Sequence, residues 1–209
     1  MGVRLPESPR EIDELAEGGL APEERAFAAG LATLRRRTWV GGRIALRQAL
    51  SRSGLDAPAV LADARGAPIM PAGVAGSISH KESLAVALVA ADSRRLGVDV
   101  EIDSRRTHDI ASMVLTDEEA LELAAFDDAA RAREVLLRFS VKEAVYKALD
   151  PYVRRYVAFK EVGVVPLPGG GVRVRPFLPA SEGHFVIEAR WMRFDGLVLT
   201  VARVERGQA

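Results

Sequence analysis

The stretch RFSVKEAVYKALDP, residues 138–151, sets Lys142, Glu143 and Lys147 among apolar neighbours. Glu143 and Lys147 stand four apart, the spacing of a surface ion pair on a helix. Phe139, Val141, Ala144, Val145, Tyr146, Ala148 and Leu149 speak for burial instead. On a helical wheel of about 100° per residue, Leu136, Ser140, Glu143 and Lys147 form one narrow stripe with apolar residues on either side. Arg131, Glu134, Arg138 and Lys142 form the natural solvent face. The stripe therefore points into a cleft or the interior, where an unpaired charge is costly. It is either a structural ion pair against the core or a pair of groups held ready for a ligand. A second acidic pair lies in GVDVE, residues 97–101. Side chains alternate along a strand, so Asp99 and Glu101 share one face and Val98 and Val100 the other. Two carboxylates on one face repel unless a cation sits between them. Magnesium, which takes one or two carboxylates, waters and substrate phosphates, suits them; so does a half-exposed acidic edge.

Two weaker signals concern anions. Ser79 and His80 close GSISH at a loop–strand junction, where a hydroxyl and an imidazole can hydrogen-bond a phosphate or satisfy local backbone groups. Arg35–Arg37, Arg43, Arg47 and Arg65 contain planar guanidinium forks suited to phosphate, although a solvated helix face uses the same residues. Gly169–Gly171 reads as a hairpin turn. No helix follows it, so it is not a phosphate loop.

These residues need elements to hold them. Pro22 opens a helix, with Glu23 and Glu24 in its first turn, running toward Arg35. A second helix is expected over Thr38–Ser51, where Gly41 and Gly42 mark a break or a close approach. Residues 63–73 form a Gly/Pro loop. Residues 83–92 and 95–103 read as two buried strands joined by a polar turn at 92–94. Thr116 and Glu119 make a capping box for a helix to about Ala125, and residues 129–149 form the long helix. Four strand-like segments follow. Both halves thus combine helices with a hairpin-like pair of strands, the pattern of a duplicated α+β unit.

The whole chain has 209 residues, enough for a real core. At 48% hydrophobic and 28% charged it reads as globular rather than disordered. Its formal net charge of zero gives no global case for nucleic acid or a membrane surface. Without cysteine there are no disulfides and no Cys-ligated metal. The longest apolar run, Leu84–Ala91, is too short to span a bilayer. The N-terminal residues lack a signal core, so a cytoplasmic protein is expected.

Taken in order, RRRTWVGGR (35–43), RGAPIMPAGVAGSISH (65–80), GVDVE (97–101) and FSVKEAVYKALDP (139–151) resemble the 4′-phosphopantetheinyl transferases, most closely the Sfp/EntD type. The last two motifs at this separation are the specific part. The resemblance implies an α+β fold of two similar halves related by a pseudo-twofold, with the active site in the cleft between them. The halves would be residues 1–105, with the basic helices, the Ser-His segment and the metal strand, and 106–209, with the Lys-Glu helix and a sheet. It implies a holo-[acyl-carrier-protein] synthase activity, in which the phosphopantetheine arm of coenzyme A moves to a serine of an apo acyl or peptidyl carrier protein. Adenosine 3′,5′-bisphosphate is released. Asp99, Glu101 and Glu143 would hold Mg²⁺ against the pyrophosphate. Glu143 would be the base for the carrier serine, directly or through a water, and Lys147 would contact the phosphates and neutralise the leaving group. Ser79, His80, Arg35, Arg43, Arg65 and Lys142 would bind coenzyme A.

The resemblance further implies a monomer serving fatty-acid, polyketide or nonribosomal-peptide carriers. The segment Ile110–Phe126, which leaves the Asp99 strand and carries exposed apolar residues, is a candidate carrier contact. Two other readings use the same residues. One is a different metal-dependent phosphodiester or phosphate enzyme; the other is an inactive carrier-binding module.

Overall fold

The structure, a computed structural model, describes residues 1–55, 58–91, 94–103 and 110–207. Arg105, Arg106 and His108, for which the sequence offers no role, lie outside these residues, as do 92 and 93 of the expected turn. The chain is α+β and forms two compact units, Met1–Ser93 and Arg94–Ala209.

In the first unit, β1 (Gly2–Arg4), β3 (Leu84–Ala90) and β2 (Ala75–Lys81) form an antiparallel sheet in the order β1-β3-β2. Three helices precede β2: α1 (Pro9–Gly19), α2 (Pro22–Ala29) and α3 (Thr33–Arg52). The helix begun by Pro22 does not run on to Arg35. It ends at Gly30, and α3 starts afresh at Thr33 and passes straight through Gly41 and Gly42. These glycines mark a close approach, not a break. A Cβ on Gly41 would overlap Leu5, and one on Gly42 would press on Ile78 of β2 at 3.0 Å. Leu5, Ala45, Leu46, Ala85 and Ala87 close the core beneath them.

The second unit carries β4 (Arg95–Ile102), α4 (Ala111–Val114), α5 (Asp117–Glu122) and the long α6 (Asp128–Val153). Strands β5 (Val162–Pro166), β6 (Gly171–Pro176), β7 (Phe185–Phe194) and β8 (Leu197–Arg206) follow. Among the described residues the sheet order is β4-β8-β7-β6-β5, antiparallel throughout. The expected pairing of 83–92 with 95–103 is therefore corrected. β3 lies in the first sheet, whereas β4 bonds to β8 in the second. Strand β4, the metal strand expected from the sequence and grouped there with residues 1–105, lies in the compact unit that starts at Arg94.

Helix α6 packs its apolar side on this sheet, with Leu137, Val141, Ala144, Val145 and Ala148 against Val164, Val198, Ala202 and Val204. Asp127 caps its start by accepting from the Ala130 amide. Gly97 allows the approach to β4. A Cβ there would overlap the backbone carbonyl of Ala144, so no other residue fits without moving the helix. Among the described residues, no helix is long and apolar enough to cross a membrane.

Candidate active site

The odd-numbered residues of β4 face α6. Gly97 meets the Ala144 turn, and two positions on, Asp99 reaches Ser140 and Lys147. Asp99 is buried. Its Oδ2 accepts from Ser140 Oγ at 2.9 Å and its Oδ1 from Lys147 Nζ at 2.7 Å. Lys147 also donates to the Val98 carbonyl at 3.0 Å. The stripe expected on the helical wheel is therefore real, and its Ser140 and Lys147 face Asp99 of β4. The lysine's ion pair runs to Asp99 across the packing interface rather than back to Glu143.

Glu143 lies one helical turn before Lys147 and is partly exposed. Burial raises its carboxyl above the ordinary 4.5; Lys147 opposes the rise, and the charges of Asp99 and Glu101 add to it. The three carboxylates thus share one electrostatic neighbourhood, with Glu101 buried on the same strand. Their donor set is all oxygen, which suits a hard cation such as Mg²⁺ that takes one or two carboxylates and keeps its waters. Among the described residues, no three His, Asp or Glu groups stand at metal-binding spacing in this structure. The donor chemistry suits such an ion, but the three carboxylates do not form a metal-holding group in this structure.

Lys142 is the main departure from the wheel. It is not on a solvent face; it is 1% exposed. Its Nζ donates to Glu119 at 2.6 Å and to the Val114 carbonyl at 2.7 Å. Burial lowers its pKa, and the Glu119 hydrogen bond resists that shift. Glu119 completes the expected capping box with Thr116 and also accepts from the Val164 amide at 2.8 Å. Arg138, placed on the same solvent face, is buried as well, paired with Glu122 and Glu134. Helix α6 is covered on two sides, by the sheet and by the α4–α5 segment, so it has no wide solvent face there.

In the first unit, Arg43 is buried, donates to the carbonyls of Val60 at 2.6 Å and Leu61 at 3.1 Å, and stacks on Trp39. Burial pushes its pKa down to about 10, and Arg35, exposed on the same helix, adds a repulsive charge. Arg65 sits on an exposed turn organised by Asp63, whose Oδ1 accepts from the amides of Arg65 and Ala67. Ser79 and His80 lie inside β2, not at a loop junction. Alternation puts them on opposite faces, Ser79 buried and His80 exposed.

Several residues went unassigned in the sequence. Ser140 lay on the critical stripe without a role. Thr200 stands opposite Asp99 in the β4–β8 register and holds Ser140. Glu24 is fully buried and accepts from the amides of Ala21 and Val60 and from Arg47. Only the capping box hinted at Glu119, and nothing local pointed to Thr200.

Residues 23–90 match the 4′-phosphopantetheinyl transferase N-terminal domain, and residues 95–202 match the 4′-phosphopantetheinyl transferase superfamily. The 4′-phosphopantetheinyl transferase Svp of Streptomyces mobaraensis is 34% identical over 195 residues, covering 88% of this chain and 78% of its own. The 4′-phosphopantetheinyl transferase Npt of Nocardia iowensis is 29% identical over 194 residues, 86% of each chain. Enterobactin synthase component D of Salmonella typhimurium is 28% identical over 165 residues, 78% of this chain and 69% of its own. The second family match begins at the strand that carries Asp99, and the chain is an enzyme of the 4′-phosphopantetheinyl transferase superfamily, of the Sfp/EntD type.

Proposed function

We propose that this enzyme transfers the 4′-phosphopantetheine arm of coenzyme A to the serine hydroxyl of an apo carrier protein, releasing adenosine 3′,5′-bisphosphate. The observation that carries this reading is the convergence of Glu143, Lys147 and Asp99 where β4 meets α6. Phosphoryl transfer asks mainly for positioning and charge neutralisation, and a rigid strand packed on a rigid helix supplies both. Glu143 takes the serine proton, directly or through a water; its raised pKa makes it a stronger base than an ordinary carboxylate. Lys147 neutralises charge on the departing phosphate. Asp99, Glu101 and Glu143 are the residues to hold Mg²⁺, which when bound neutralises the pyrophosphate.

Arg35, Arg65, Ser79 and His80 remain proposed coenzyme A contacts. Arg43 acts there through the Val60–Leu61 segment that its guanidinium holds. For Lys142 the burial and the Glu119 pair support a supporting role in place of a ligand contact. Exposed Met113, Leu121 and Phe126 support the 110–126 segment as the carrier contact. A cytoplasmic monomer acting on fatty-acid, polyketide or peptide-synthetase carriers completes the proposal.

Mass spectrometry of an apo carrier incubated with the enzyme, coenzyme A and Mg²⁺ tests it. One added phosphopantetheine is expected, lost with EDTA. No mass gain across fatty-acid, polyketide and peptide-synthetase carriers overturns it.

A further inference from the structure

Side chains from α2 and α3 grip the backbone of residues 58–61. Glu24 Oε1 accepts from the Val60 amide at 2.8 Å; its Oε2 accepts from the Ala21 amide at 2.8 Å and from Arg47 at 3.3 Å. Arg43 donates to the carbonyls of Val60 and Leu61, and Arg47 donates to the Pro58 carbonyl at 3.2 Å. Glu24 and Val60 are both fully buried. An irregular segment at that depth needs partners for its backbone polar groups, and the two helices supply them.

Beyond Leu61 the chain turns back on itself. The Leu61 carbonyl accepts from the Ile69 amide at 3.0 Å, Ala62 bridges Pro68, and the Asp63 amide donates to the Ala67 carbonyl at 2.9 Å. At the tip the Asp63 carboxylate accepts from the amides of Arg65 and Ala67, both at 2.9 Å. Gly66 there takes a φ of +85°, which the tight turn requires. Loops are usually the mobile part of a fold; this one is anchored at its base and tied at its tip. Holding a guanidinium fork in place before an anion arrives reduces the ordering cost of binding.

Resting on the transferase reading, in which Arg65 meets coenzyme A, we propose that residues 61–69 are a preset arm for that arginine and that Glu24 and Asp63 are its positioning residues. Glu24 fixes the base of the arm to α2 and α3. Asp63 fixes the turn that carries Arg65. Both act on coenzyme A only through Arg65.

Calorimetric titration with coenzyme A and Mg²⁺, arranged as double-mutant cycles, tests this. Arg65→Ala should weaken coenzyme A binding about tenfold. Glu24→Gln and Asp63→Ala should each weaken it about threefold. In the Arg65→Ala background neither second substitution should weaken it further, and the KM for the carrier should stay at the wild-type value. Asp63 lies on a surface turn, so its cycle decides the matter even where Glu24→Gln fails to fold. Losses that add to that of Arg65→Ala, or wild-type affinity in either folded single variant, overturn the inference. An Arg65→Ala protein that binds coenzyme A unimpaired also overturns it, and the transferase reading stands if the wild type modifies carriers. A wild type that modifies none overturns the reading itself.

Discussion

Helix α6 carries two lysine–carboxylate pairs five residues apart, and they differ in depth rather than in geometry. Lys142 meets Glu119 at 2.6 Å and Lys147 meets Asp99 at 2.7 Å. The first lysine side chain is 1% exposed and the second 25%. A fully buried pair is locked, because separating it leaves a charge without water or partner. A pair open on one side can exchange a partner for a ligand. On this contrast the Lys142 pair stabilises the α4–α5 segment against α6, and the Lys147 pair is the one proposed for the chemistry.

Lys142→Met strikes hardest at the contrast. It strands Glu119 and should cost about 3–5 kcal/mol of stability, read from urea unfolding. Adding Glu119→Gln should recover part of that loss by removing the orphaned charge. A coenzyme A affinity that falls with Lys142→Met and stays low in the stable double variant would make Lys142 a ligand contact and erase the distinction.

Lys147→Met should do the reverse. Transfer should fall on the order of 100-fold to 1,000-fold, with a smaller loss of stability than in Lys142→Met, because Ser140 still donates to the buried Asp99 and the removed lysine is partly solvated. Equal losses of stability in the two lysine variants would break the comparison.

Gly97→Ala probes the packing that brings Asp99 to Lys147. Overlap with the Ala144 carbonyl must push β4 from α6, an overpacking cost of about 1–3 kcal/mol. Transfer should fall with stability, since Asp99 moves relative to Ser140. Full activity in this variant would mean that the strand's distance from the helix does not matter.

The smallest effect is a pH dependence. The Glu143 carboxyl has a folded pKa above its ordinary 4.5, so the folded state binds that proton more tightly. Its contribution favours folding below pH 4.5 and is lost as pH rises through the folded value. Glu143→Gln should flatten the fall in urea midpoint over that window; an unchanged slope would place the desolvation elsewhere.

Much of the fold was readable where local rules suffice. The Thr116–Glu119 capping box, the Gly169–Gly170 and Gly196 turns with positive φ, and the last four strands follow from side-chain chemistry within a few residues. Partners distant in sequence were not readable. Alternating residues identify 95–102 as a strand, but its mate β8 lies about a hundred residues on, and proximity in sequence pointed to β3 instead. The wheel failed at Lys142 and Arg138 for a related reason. It assumes one buried side, and α6 is covered from two.

The amino-acid sequence alone determined which groups stand ready: the acidic face of GVDVE, the Glu143–Lys147 stripe and the motif order that marks the family. Only the tertiary structure decided how they pair. Lys147 chose Asp99 over Glu143, Ser140 became the fixed donor to Asp99, and Lys142 was withdrawn to Glu119. Periodicity sets the direction of a side chain, whereas ion pairing depends on which distant carboxylate arrives there and on how much water is left beside it.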